Sequence, residues 1–248
     1  MLKPHERMDD LQYRGLRLIQ DTRAYCFTSD AVLLANYVRA RRQDTVVDLG
    51  TGNGAIALLV CAKTGSERVI GIEKQPDAAD LARRNVALNG LQSRIRIVTA
   101  DVAGVSEQLG KACARVVVSN PPYFAAPSGM TRETPQIALA RHESTCTLDA
   151  WIAEASELLQ FGGYCYMIHT VSRMAEVLSA MTAHDLAPKQ VTLIYPKADK
   201  QADTFIVAAK KGGRHGMRLD RLVVYEADGS MTEQVRNLYQ DSDSNTDL

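Results

Sequence analysis

The residues Asn120-Pro121-Pro122-Tyr123 follow an apolar run, Ala114 to Ser119, that reads as a buried strand. Two consecutive prolines fix φ and remove two backbone donors, so the strand cannot continue and a rigid elbow ends it. The carbonyls of Asn120 and Pro121 and the amide of Asn120 are then left to face something outside the sheet. An amine suits them. An NH2 group donates two hydrogens, the Asn120 side-chain oxygen and the Pro121 carbonyl are two acceptors, and Tyr123 offers a flat face for a ring. Taken by itself, an ordinary strand-ending turn explains the tetrapeptide as well.

A second cluster of chemistry begins where Val46-Val47-Asp48-Leu49 runs into Gly50-Thr51-Gly52-Asn53-Gly54 and a helical pattern follows. Glycines let the backbone turn sharply and approach a ligand, and the helix start offers unpaired amides. Glu73 ends the next strand about 20 residues on, where a carboxylate grips a ribose diol. Gly50, Gly52 and Ala55 also satisfy the dinucleotide fingerprint, so glycines alone leave a nicotinamide or flavin cofactor open. Two carboxylates and the elbow turn the choice toward S-adenosyl-L-methionine. Asp48, just before the first glycine, repels a pyrophosphate but attracts the ammonium of a methionine. Asp101, past the third core strand, is placed to accept from an adenine amine, although a capping Asp explains it too. His142, Glu143 and His169 invite acid–base roles, but structural roles are the commoner explanation for such residues.

The elements that must position these groups form an α/β pattern. Val/Ile-rich runs at Thr45 to Leu49, Arg68 to Glu73, Arg94 to Thr99, Ala114 to Ser119 and Gly163 to His169 predict parallel strands, with helical segments between them. Gln190 to Tyr195 and Thr204 to Lys210 predict an antiparallel hairpin at the sheet edge. Upstream, Leu16 to Gln20 and Ala24 to Phe27 predict a small hairpin across Asp21-Thr22-Arg23. Thr28-Ser29-Asp30 then caps a helix running to about Arg41. The stretch Pro121 to Thr147 has no clear period and reads as a functional loop.

At 248 residues and 46% apolar composition the chain is expected to be one domain, with residues 1–43 a hairpin and helix, 44–211 a catalytic core and 212–248 a C-terminal extension. No run approaches the ~18 apolar residues of a membrane span, and the charged start predicts a soluble, cytoplasmic protein. Five scattered cysteines predict neither a zinc site nor a disulfide framework, and no metal is expected. Acidic and basic residues balance at 29 each, but Lys189 to Arg221 is locally basic, as is the cluster Arg39, Arg41 and Arg42. Solvated surface is the plain reading of both unless a polyanion is bound.

These motifs resemble class I S-adenosylmethionine-dependent methyltransferases whose Asn-Pro-Pro-Tyr motif acts on planar amines. The resemblance runs through nearly the whole chain. Cys26 to Ala35, Asp48 to Gly54, Asn120 to Phe124, Ala140-Arg141-His142-Glu143 and Tyr195-Pro196-Lys197 narrow it. They are similar to the bacterial family that methylates the exocyclic amine of the adenine beside the anticodon of a valine tRNA. The segment Leu222 to Tyr239 resembles its Gram-positive branch.

The resemblance implies a Rossmann-like, seven-stranded, mostly parallel sheet with the last strand antiparallel. It also implies roles. Thr28, Ser29 and Asp30 line the methionine end of the cofactor, with Asp48, Gly50, Gly52 and Asn53 at the loop, Glu73 on the ribose, and Asp101 and Asn120 near the adenine and the reacting amine. Asn120, Pro121 and Tyr123 carry catalysis, and Tyr123 with Phe124 stacks on the base. With tRNA as partner, Arg39, Arg41, Arg42, Lys197, Lys210, Lys211 and Arg214 become phosphate contacts.

The rival chemistries are methylation of a protein glutamine, for which the 44 or so residues before the core are too few to form a recognition domain, methylation of a small-molecule amine, and NAD-dependent dehydrogenation. The sequence does not choose between a monomer and a homodimer.

Overall fold

The computed structural model describes residues 2–23, 29–122 and 146–239. Thr28, Tyr123, Phe124, His142 and Glu143, on which several of the expectations above fall, lie outside the described residues.

An antiparallel ribbon comes first, β1 (Glu6–Asp10) with β2 (Arg17–Asp21), in the register Met8 opposite Ile19. The expected partner of the Leu16 to Gln20 strand was Ala24 to Phe27. The structure pairs it with Glu6–Asp10, a run with no apolar alternation that is held by its backbone bonds and by the ion pair of Glu6 with Arg84 of the third helix, while Ala24 to Phe27 lies outside the described residues. Helix α1 (Ser29–Tyr37) follows and stops short of Arg41.

The main sheet is built from β3 (Thr45–Leu49), β4 (Arg68–Glu73), β5 (Ile95–Thr99), β6 (Ala114–Ser119), β7 (Leu159–Thr170), β8 (Leu186–Lys197), β9 (Thr204–Lys211) and β10 (Arg218–Tyr225). Their order across the sheet is β10-β8-β9-β7-β6-β3-β4-β5. Strands β3 to β7 are parallel, and β9 runs against both β7 and β8. The expected seven strands with the last antiparallel are present, but the hairpin is not the edge. Strand β10, parallel to β8 and read in the sequence only as part of an extension, adds an eighth strand outside it.

Between the strands lie α2 (Ala55–Thr64), α3 (Pro76–Leu88), α4 (Val105–Leu109), α5 (Leu148–Leu158) and α6 (Met174–Ala183), with α7 (Glu233–Tyr239) after β10. Alternate residues of each central strand feed different cores. Val46, Val116, Val118 and Ile168 pack with α1, α2, α3 and the ribbon, whereas Val47, Leu49, Val117 and Met167 pack with α4, α5 and α6. Burial on both faces explains the unbroken Val/Ile runs. No helix among the described residues is long and apolar enough to cross a membrane.

Candidate active site

Parallel pairing fixes where the strands let go. Leu49 lies opposite both Ile72 and Ser119, and Glu73 opposite Thr99. The loop Gly50 to Gly54, Glu73, Asp101 and Asn120 therefore leave neighbouring strands at one end of the sheet, at strand spacings of about 4.8 Å. Carboxyl ends of parallel strands are where such sheets hold ligands.

The loop itself is made of left-handed turns: φ is +72° at Gly50, +56° at Gly52 and +87° at Gly54. Nothing lies within 4 Å of where a Cβ on Gly52 would sit, so its backbone angle, not crowding, requires glycine there. The Gly52 amide donates to Glu73 Oε2 at 2.9 Å, and the Gln75 amide donates to Oε1 at 2.8 Å. Burial raises the Glu73 carboxyl, and these amides with that of Lys74 offset part of the rise. A carboxylate has about four lone-pair sites, so both oxygens keep capacity for a ligand's hydroxyls.

Asp48, beneath the loop, is fully buried. Its Oδ2 accepts from the Thr51 hydroxyl at 2.6 Å, while Oδ1 has no hydrogen bond among the described residues. Burial pushes its carboxyl up to about 7; the Thr51 hydroxyl pulls it down, the Glu73 charge adds to the rise, and the Ala57 amide dipole lowers it. A buried acidic oxygen without a hydrogen bond among the described residues, next to the glycine loop, fits a ligand that carries a cationic group.

Asn53 is taken up by the fold: its Oδ1 accepts from the Ala55 amide at 3.3 Å and its carbonyl from Asn85 Nδ2 at 2.9 Å. Asp101 pairs with Lys74 at 2.8 Å and accepts from the Ala103 amide at 3.2 Å. Burial works to raise its carboxyl, but Lys74 and the nearby amides outweigh that and hold it below the usual range. Ser29, exposed, and Asp30, half-buried, open α1. Asn120 is half-buried and Pro121 buried directly after β6, while Pro122 is exposed. His169, buried at the end of β7, accepts from the Thr170 amide at 2.8 Å. Burial, with Arg173 and against Glu176, takes its imidazole down to about 4, so it is neutral at pH 7.

Several residues that hold the site carried no signal in the sequence. Asn85 of α3, fully buried, receives the Ile19 amide at 2.7 Å and donates to the Ile19 carbonyl at 2.9 Å as well as to Asn53, tying ribbon to loop. Trp151 of α5 and Ser119 of β6 join elbow and loop from below. A polar residue closing an apolar strand was the one clue to Ser119; Trp151 and Asn85 look like ordinary helix residues.

The cationic candidates are divided between the two ends of the sheet. Arg39, Arg41 and Arg42 precede β3, Lys210 and Lys211 close the descending β9 and Arg214 follows it, so they lie at the end opposite the loop. Arg42 pairs with Glu67 at 2.6 Å, Arg39 donates to the Asn36 carbonyl at 2.7 Å, and Lys211 reaches the Ser156 hydroxyl. Lys197, at the end of β8, is on the same end as Asn120, with its Nζ donating to the Ala227 carbonyl at 3.1 Å. Among the described residues no group of His, Cys, Asp and Glu converges as metal ligands.

A doubly wound sheet with a glycine loop, a buried carboxylate and a prolyl elbow at the carboxyl ends of its strands defines the Rossmann-like methyltransferase fold. Residues 28–184 match the Methyltransferase small domain family, and the chain belongs to that family. It is 34% identical to the tRNA1(Val) (adenine(37)-N6)-methyltransferase of Porphyromonas gingivalis over 59% of this chain and 57% of that relative, so the match spans little more than half of the relative's length. The protein of the same description from Aeromonas salmonicida is 25% identical over 92% of this chain and 94% of its own. Among solved structures, a predicted O-methyltransferase from Agrobacterium tumefaciens superposes with a TM-score of 0.70 at 28% identity, covering 85% of this chain and 95% of that one. Membership of a methyltransferase family sets aside the dehydrogenase alternative.

Proposed function

We propose that this protein transfers a methyl group from S-adenosyl-L-methionine to the exocyclic N6 amine of adenine 37 in a valine tRNA. The observation that carries this is the register of Leu49 opposite Ser119, which sets the Asn120 elbow beside the Gly50 loop. The names of the tRNA1(Val) relatives support the choice of acceptor.

S-adenosylmethionine supplies a methyl group activated on a sulfonium. Gly50 and Gly52 cradle it, Glu73 takes its ribose hydroxyls, Asp101 its adenine, and Asp48 attracts its ammonium; Ser29, Asp30 and Thr28 close the methionine end. The acceptor amine is a poor nucleophile because its lone pair is delocalised into the ring. The Asn120 side-chain oxygen and the Pro121 carbonyl each hold one N–H, favouring a pyramidal nitrogen with its lone pair free for the methyl group. Both acceptors strengthen as positive charge grows on the nitrogen, so they bind the transition state better than the ground state. Alignment of donor and acceptor contributes the rest. Tyr123 and Phe124 stack on the unstacked base. After transfer the cationic nitrogen, strongly acidic, releases one proton to solvent water, and the neutral His169 is not called upon.

Phosphate contact on the site's own end of the sheet is assigned to Lys197. The other six cations, Arg39, Arg41, Arg42, Lys210, Lys211 and Arg214, can reach RNA only where it extends past the sheet.

Labelled methyl transfer from S-adenosylmethionine to valine tRNA, to a glutamine-bearing peptide and to hydroxyl acceptors separates the readings. The proposal expects label in tRNA, recovered as N6-methyladenosine. Label in the peptide or on oxygen, with none in tRNA, refutes it.

A further inference from the structure

Trp151 is the one tryptophan of the chain, and it is buried, one turn into α5. Its Nε1 donates to the Ser119 hydroxyl at 3.0 Å, and that hydroxyl donates to the Leu49 carbonyl at 2.8 Å. Ser119 ends β6 immediately before Asn120, and Leu49 ends β3 immediately before Gly50. The six-membered ring of the same indole lies against the loop: a Cβ on Gly50 would stand 3.0 Å from Cζ2 and Cη2. One rigid side chain therefore touches both halves of the site, the elbow through its N–H and the loop through its ring. Ser119 has no exposed surface, so bulk water cannot take over the relay.

We propose that Trp151, acting through Ser119, is a positioning residue that sets the spacing between the Gly50 loop and the Asn120 elbow, and with it the alignment of methyl donor and amine. This rests on the methyltransferase reading of the site. The loop needs such a stop because its turn is glycine, with φ of +72° and no side chain of its own to limit movement toward α5. Misplacement of reactants by about 1 Å costs on the order of 100-fold in rate, so a flat, hydrogen-bonded wedge at this point acts on turnover more than on binding.

Trp151→Phe removes the N–H together with the outer ring edge that faces Gly50; Ser119→Ala removes the relay and leaves the indole in place. With the full chain assayed well below each variant's melting temperature, kcat for methyl transfer to tRNA is expected to fall roughly 10- to 100-fold in both. KM for tRNA and the calorimetric affinity for S-adenosylmethionine are expected to stay within about twofold. The double variant is expected to lose little more than either single one, because both break one unit. The lone indole gives a second readout: S-adenosylmethionine alone, without RNA, shifts the emission of the wild-type chain. Wild-type kcat in both single variants, or emission that stays fixed while calorimetry records S-adenosylmethionine binding, overturns the proposal. A wild-type chain that binds no S-adenosylmethionine overturns the underlying reading and this inference with it.

Discussion

The Gly52 amide donates to Glu73 Oε2 at 2.9 Å, so the carboxylate that ends β4 also holds the turn that follows β3. A hydrogen bond to an ionised group contributes about 1.5–3 kcal/mol. Glu73→Ala removes both this brace and the acceptor for a ribose, and S-adenosylmethionine affinity is expected to fall roughly 10- to 150-fold. Calorimetry measures it directly; unchanged affinity would remove Glu73 from the cofactor site.

Asp48 gives a pH signature. Its ordinary value near 3.8 is raised to about 7 in the folded chain, chiefly by burial. A folded-state pKa above the unfolded one means that the contribution to stability is fully present below about pH 4, is lost as pH rises toward 7, and is flat beyond. The span corresponds to a few kcal/mol, at about 1.4 kcal/mol per unit. Subtracting the unfolding free energy of Asp48→Asn from that of the ligand-free wild type cancels the other titrating groups. The difference is expected to decline from pH 4 to 7. A flat difference would show that Asp48 titrates normally.

Stability should also register at Asn85, whose amide bonds Ile19 through both its N–H and its carbonyl and holds the Asn53 carbonyl. Replacing it with alanine leaves three backbone groups without that partner in a buried place, at a cost of roughly 2–4 kcal/mol. Denaturant unfolding gives the total, and faster hydrogen exchange at the Ile19 amide locates the loss on the ribbon. A change below about 0.5 kcal/mol would mean that the ribbon docks without it.

How these residues relate to the sequence divides along a physical line. The glycine loop and the prolyl elbow were legible because φ limits and missing donors act on the residues that carry them. Strands β3 to β7 were legible because double burial writes Val/Ile runs, whereas their order across the sheet was not. Strand β1 was not, since Glu6–Asp10 has no apolar alternation and is held by backbone pairing and by the ion pair of Glu6 with Arg84, 78 residues away. Strand β10 was missed because Arg218, Leu219 and Arg221 are exposed and leave only Leu222 and Val224 as a buried pair. Lys74 beside Asp101, and Trp151 beneath Ser119, join residues whose separation along the chain shows nothing of their contact.

The divided cations predict a divided response. Lys197→Ala is expected to weaken tRNA binding and lower the salt slope by about 1. Lys211→Ala is expected to leave both unchanged, because its ammonium is turned to Ser156 and its side chain is 22% exposed. Binding titrations across salt concentration test the pair, and the reverse ranking would place the RNA at the other end of the sheet.

Asn120 bears the chemistry proposed for the whole molecule. Under saturating S-adenosylmethionine, single-turnover methyl transfer to valine tRNA by Asn120→Ala is expected to slow by on the order of 100-fold or more, the scale seen when a transition-state acceptor or donor is removed. Calorimetric affinity for S-adenosylmethionine is expected to hold within about threefold, as for a group that acts mainly on the transition state. Transfer at the wild-type rate by Asn120→Ala would contradict the assignment of the elbow to the acceptor amine.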